Sequence, residues 1–195
     1  MDILFNIFSA FGLSASAGLN AYIPLLTVAV LAKFTHLITL TSPWDTLTSW
    51  WVIGVLILLS IVEFFADKIP AVNHVNDAIQ SLVRPAAGAI VFAAGSSNIA
   101  HVNPVVALIA GLLVAGGVNA VKSLVVRPAV TATTAGVGNI PVSMAEDATS
   151  TIVSFLSIVL PVIIVCGFII VTTIIVTKLI FKKHPDPVDT GNYRN

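Results

Sequence analysis

Two runs in this chain are too long and too apolar to be surface helices of a water-soluble domain. Ser49 to Phe65 reads SWWVIGVLILLSIVEFF, and Thr151 to Ile180 continues without a charge until Lys178. A helix needs about 20 mostly apolar residues to cross a bilayer. Inside hydrocarbon every backbone N–H and C=O must be paired within the protein, which leaves helices or closed barrels as spanning structures. The length of these runs selects helices. Pro161 inside the second run is compatible with a span, because neighbouring helices can take over the freed carbonyl.

The remaining apolar text is interrupted. Ile3 to Lys33 is cut by GLSASAGLNAYIP, Pro85 to Ala94 is short, Val105 to Val121 is rich in small residues, and Val125 to Val142 contains Pro128, Gly136, Gly138 and Pro141. Short or Gly/Pro-interrupted spans point to a transporter's binding site, and small-residue helices pack closely. Both readings apply here. Over the whole chain 57% of residues are hydrophobic and 9% charged, with a mean hydropathy of +1.02. Soluble domains carry about 25% charged residues. The expected fold is therefore all-α, a polytopic membrane bundle of five to six spans with broken or re-entrant helices.

The expected organisation is one transmembrane domain over residues 1–183, with approximate halves 1–103 and 104–183, and a disordered tail over 184–195. The tail region, with Lys178, Lys182, Lys183 and Arg194, is assigned to the cytoplasm because Lys and Arg accumulate on that side. The uncharged loop Gly95 to Pro104 and the segment holding Trp44, Trp50 and Trp51 are assigned outside, with those tryptophans as interfacial anchors. This gives six passes with both termini inside and the fifth broken, and Lys33 is the one exception. Ala15-Ser16-Ala17 resembles a signal-peptide cleavage site, but the leader carries Asp2 and no Lys or Arg, so the run belongs to the membrane domain. A formal net charge of zero gives no reason to expect nucleic acid as a partner.

Charge is rare enough here to be informative. Glu63, Asp67, Lys68, His74, Asp77 and Arg84 form one cluster, and Lys122, Arg127, Glu146 and Asp147 a second. Glu63 and Asp67 share a helix face, as do His74 and Asp77. An ionisable group at membrane depth costs at least about 2.5 kcal/mol on insertion scales, so such groups pair and mark pathways. Interfacial charges at helix ends are the simpler explanation for some of them. VNDAIQSLVRPA (Val75 to Ala86) aligns with VNAVKSLVVRPA (Val118 to Ala129) after one inserted residue, and AGLNAY resembles GGVNAV, which adds Asn20 and Asn119 to the candidates. An internal repeat of three passes per half would be inverted, the design of many secondary transporters. Proline disfavours the helical region for the residue before it, so Arg84-Pro85 and Arg127-Pro128 are each expected at a helix break. Each arginine there would hold the chain's own carboxylates at rest, or a ligand's anion.

Other chemistries find little support. Cys166 is one cysteine in apolar text, no metal-ligand motif or G-x-S-x-G occurs, and the glycines of Thr131 to Asn139 do not form a phosphate loop. No metal or cofactor is assigned. Ala107, Gly111 and Ala115 form a small-residue stripe for internal packing or a homodimer.

The blocks SASAGLNAYIPLL, EFFADKIPAVNHVNDAIQSLVRPAAGA, VNAVKSLVVRPAVTATTAGVGN and VSMAEDATS together resemble DUF4126, a family of bacterial integral membrane proteins catalogued as a domain of unknown function. The resemblance implies an inner-membrane location and a part in envelope upkeep, and supplies no catalytic residues. The leading functional expectation is a small transporter or permease-like protein whose polar intramembrane site is built from both charged clusters, acting on a small solute, an ion or a lipid head group. A non-transporting envelope scaffold or lipid-binding factor is the alternative, and a lipid-acting enzyme ranks third.

Overall fold

A computed structural model of the chain describes residues 2–66, 70–97, 99, 102–159 and 177. Its α-helices are α1 (Asp2–Leu19), α2 (Tyr22–Phe34), α3 (Trp50–Ala66), α4 (Pro70–Gly95), α5 (Pro104–Val121), α6 (Arg127–Thr134) and α7 (Asn139–Val159). A 3-10 turn covers Trp44–Thr48, and a π-helical segment, Lys122–Val126, joins α5 to α6 without interruption. Among the described residues these make six helical rods and no strand.

The rods alternate in direction. Ser14 bonds to Gly111 and Lys122 to Leu19, so α1 and α5 run parallel. Ser16 bonds to Ser150 and Ser154 while Asn20 bonds to Asp147, so α7 runs antiparallel to α1. Arg84 meets Asn119, and Gly88 lies against Gly111 and Ala115, so α4 and α5 are antiparallel. α2 and α3 flank this four-rod centre, with Lys33 at the end of α2 donating to the Thr48 carbonyl and standing 4.5 Å over the Trp50 ring. Lys33 is thus satisfied where it stands, which explains why it tolerates the end of the bundle that the tryptophans occupy.

Three helical stretches are long and apolar enough to cross a membrane: Val75–Gly95, Pro104–Thr134 and Asn139–Val159. α2 and α3 are shorter apolar helices. The outward faces are apolar to a degree that water would not tolerate. Val55, Leu58, Val62 and Phe65 on α3, and Val105, Val106, Ile109 and Leu113 on α5, are all exposed. Trp50 and Trp51 project from the start of α3, as anchors at a membrane surface do.

The centre is held by close approach rather than by bulk. A Cβ placed on Gly88 would lie 2.2 Å from the Ala115 Cβ, and one on Gly111 2.4 Å from the Gly88 carbonyl oxygen. Ala107, Gly111, Ala115 and Asn119 form the buried stripe of α5, so this small-residue face is occupied within the chain by α4 and α1. α7 contributes a second kind of seam: Ser143, Ser150 and Ser157 recur at heptad intervals, with Glu146 and Ser154 between them, and all five are buried. The Ser16 hydroxyl shares hydrogen bonds with Ser150 at 2.8 Å and Ser154 at 2.7 Å, and Gly12 leaves room for Ser157. Hydroxyls paired across helices are a suitable adhesive where lipid removes the hydrophobic driving force.

Two expectations about helix breaks change. α4 runs unbroken through Arg84 and Pro85, so there is no break at the first Arg-Pro. Proline costs α4 one hydrogen bond to Ser81, but its ring faces Gly116 of α5. The arginine before it is fixed by two partners on other helices. Packing overrides the local preference. At the second Arg-Pro the backbone stays helical, with Arg127 at φ −61°, ψ −47°. The extra residue of SLVVRP relative to SLVRP falls in Lys122–Val126, where a π turn absorbs it, as one-residue insertions into helices do. The interruptions fall instead within two of the segments that the sequence marks as broken, Ile3 to Lys33 and Val125 to Val142. α1 and α2 part at Asn20 and Ala21, and the chain reverses after α6 at Ala135 (φ 51°) and Gly136 (φ 88°). Thr131 to Asn139 is therefore the end of α6 and a turn, closed by hydrogen bonds between Thr131 and Asn139 and from the Gly138 N–H to Thr134. α7 begins at Asn139, ahead of the apolar run that starts at Thr151. Pro161, Cys166 and the tail 184–195 lie outside the described residues.

Asn20 makes the first interruption affordable. Its Oδ1 accepts from the N–H groups of Tyr22 at 3.0 Å and Ile23 at 3.1 Å, and its Nδ2 donates to Asp147 Oδ1 at 3.0 Å. Asn20→Ala should cost about 1–2 kcal/mol, the loss of an N-cap plus a buried contact. The check is a thermal unfolding midpoint in neutral detergent, and an unchanged midpoint would count against this capping role.

Candidate functional site

Arg84 sits about 21 Å along α4 from Pro70 and about 16 Å from Gly95, at 1.5 Å per residue, near the middle of the rod. Burial there demands partners. Its Nη2 donates to Glu63 Oε1 of α3 at 3.1 Å and its Nη1 to Asn119 Oδ1 of α5 at 3.2 Å. The side chains of Arg84 and Glu63 are 2% and 1% exposed, so the pair is sealed from solvent. Gln80, one turn before Arg84, is also buried.

The second cluster lies towards the end of the bundle where α1 stops. Glu146 Oε2 of α7 takes Lys122 Nζ at 2.9 Å and Arg127 Nη2 at 2.9 Å, so one carboxylate oxygen holds two cations. Lys122 also donates to the Leu19 carbonyl at 2.9 Å, a backbone acceptor left open by the end of α1. Arg127 Nη1 reaches Asp77 Oδ2 at 3.8 Å, and the Asp77 side chain is 31% exposed, which makes it the outermost member.

These contacts bind the two sequence motifs to each other. The arginine of the first, Arg84, reaches Asn119 near the start of the second. The arginine of the second, Arg127, reaches Asp77 near the start of the first. The motifs lie antiparallel and the contact is reciprocal, as an approximate two-fold axis between α4 and α5 would produce. The carboxylates do not follow that symmetry. Glu63 precedes its arginine by 21 residues, whereas Glu146 follows its arginine by 19.

Of the twelve candidates, nine fall into three contact groups between the helices: Glu63, Arg84 and Asn119; Asp77, Lys122, Arg127 and Glu146; and Asn20 with Asp147. Asp67 and Lys68 lie outside the described residues, and so does the side chain of His74 on α4. Sequence reasoning missed Gln80, the Leu19 carbonyl and the serine seam. The heptad spacing of Ser143, Ser150 and Ser157 was the available signal for the last of these. Among the described residues no three of His, Cys, Asp and Glu gather in a way that could hold a metal ion.

Two clefts approach this interior from either side of α7. The first, about 500 Å³, lies between α1, the α5–π region and α7. Its walls are Leu19, Gly117, Val118, Val121, Val126, Val142, Ala145 and Thr149, and its polar groups are Lys122 and Glu146. The second, about 520 Å³, lies between α2, α3 and α7, where Asn20, Ser60 and Asp147 meet Ile23, Ile61, Phe64, Phe65 and Met144. Consecutive residues of one helix, Glu146 and Asp147, therefore serve different clefts.

A bundle of apolar helices closed around buried ion pairs, with Leu, Ile, Val and Phe on its outside, defines a polytopic helical protein of membrane type. The chain belongs to the family described as "Domain of unknown function (DUF4126)", which matches residues 7–180. No curated protein and no solved structure matches the chain.

Proposed function

We propose that the protein is a small transporter or permease-like protein of the bacterial inner membrane, with its C-terminus in the cytoplasm and its recognition site in the Lys122–Glu146–Arg127–Asp77 network. The observation that carries this reading is the position of that network. Ion pairs with almost no exposure, inside a bundle of apolar helices, adjoin an open cleft. Structural stability alone is a weak reason to keep such pairs, since apolar replacements of a buried ion pair are often neutral or better. Charges kept inside a membrane bundle are by default a functional site. The sharing of one Glu146 oxygen by two cations also makes the network exchangeable, because Glu146 can release Lys122 and remain paired with Arg127. A part in cell-envelope homeostasis would fit such a protein.

The test is flux into proteoliposomes under imposed proton and voltage gradients, over a panel of phosphate-, carboxylate- and amine-bearing solutes. One class should accumulate, and Glu146→Gln should slow it by at least about tenfold, the equivalent of about 1.4 kcal/mol. If no solute moves under any gradient, and cells carrying Glu146→Gln keep full function, the reading fails.

A further inference from the structure

The first cleft says what kind of molecule it suits. Its walls are Leu, Val, Ala and Gly with one threonine, Thr149, and its polar end is an amine held between a carboxylate and a backbone carbonyl. At about 500 Å³ it falls within the range of roughly 300–1,000 Å³ usual for small-molecule sites. A small hydrated anion would lose its water against the valines and gain little from them. A hydrocarbon without a head group would leave the Lys122–Glu146 pair unchallenged. A cationic head group would be repelled by Lys122, which lines the cleft, and by Arg127 behind Glu146.

We propose that this cleft binds a membrane lipid bearing a phosphate head group, with an alkyl chain along Val118, Val121 and Val142 and the phosphate on Lys122. Lys122 exchanges its bond to Glu146 for the phosphate. Glu146 stays on Arg127, and the Leu19 carbonyl keeps the amine in place. A lysine suits this role because it meets phosphate as a compact charge. The second cleft has the opposite character, since its charged member is the carboxylate of Asp147, and it should reject the same lipid. The inference rests on the network being a recognition site and assigns its ligand class, without requiring that the ligand be moved.

Gly117 provides a test that spares the fold. It lines the cleft, and a Cβ there would meet nothing within 4 Å, so a side chain can start from this position without a clash, and Gly117→Phe is the variant chosen to occupy the cleft. Gly54, equally open and far from the cleft, gives the control Gly54→Phe. The full chain in neutral maltoside micelles would be titrated with dodecyl phosphate, with binding followed by calorimetry and native mass spectrometry. Saturable binding is expected. It should weaken at least about tenfold in both Gly117→Phe and Lys122→Gln, stay unchanged in Gly54→Phe, and resist competition by inorganic phosphate at equal concentration. Dodecyltrimethylammonium should not compete. Equal binding by Gly117→Phe, or full competition by inorganic phosphate, would overturn the proposal. Flux of another solute with no dodecyl phosphate binding would overturn this inference and leave the transport reading intact. Binding without flux of any solute would do the reverse.

Discussion

Arg84→Leu should destabilise the bundle by about 3–5 kcal/mol, the cost of removing one partner from a buried ion pair. The substitution leaves the Glu63 carboxylate, 1% exposed, without its arginine, and takes from Asn119 the donor that its Oδ1 accepts. Because the penalty comes from the stranded charge, it should largely disappear in Arg84→Leu combined with Glu63→Leu, where both ions are gone. Thermal unfolding in neutral detergent distinguishes the cases: the single variant should melt well below the wild type and the double variant between them or above. A single variant as stable as the double would show that the pair is not sealed in the way described. Arg127→Leu should cost less, since Glu146 keeps Lys122 and Asp77 is partly exposed.

Gly111→Leu is expected to be as severe by a different route. The α4–α5 contact brings a backbone carbonyl to within 2.4 Å of where a Gly111 Cβ would sit, and the Phe92 Cβ to 2.6 Å. A leucine cannot be admitted by turning a flexible side chain aside, so the helices must separate. Overpacking typically costs about 1–3 kcal/mol, and separation would also stretch the Arg84–Asn119 hydrogen bond four residues beyond Ala115, within the second motif. The same exchange at Gly54, which faces open space, should be close to neutral. Melting temperatures of the two variants provide the measurement, and equal values would refute the close-approach account.

Much of this fold could be read before any geometry was known, because the constraint is severe. A chain with so few charges has to bury its backbone polar groups in helices, and SWWVIGVLILLSIVEFF leaves no other option. The candidate residues were legible for the same reason, since a charge in apolar text is rare. Their pairing was not. Glu63 and Arg84 look like neighbours in one charged cluster, but the bond depends on how α3 packs on α4, and Glu146 could as easily have met Arg84 as Arg127. The error at Arg84-Pro85 came from treating a local preference as decisive. The preference is real and small beside an arginine anchored on two other helices. The beginning of α7 was missed because Glu146 and Asp147 depress hydropathy where the helix is amphipathic. Hydropathy locates lipid-facing surface and underrates a seam built from serines.

Glu146 and Asp147 are adjacent on α7, and successive side chains on a helix point about 100° apart, 3.6 to the turn. One residue is tied to Lys122 and Arg127 in the first cleft, the other to Asn20 in the second. α7 therefore behaves as a camshaft carrying two lobes. A substitution that turns α7 to loosen one carboxylate should also shift the other. The two clefts thus share one wall, a single rod that presents a different carboxylate to each.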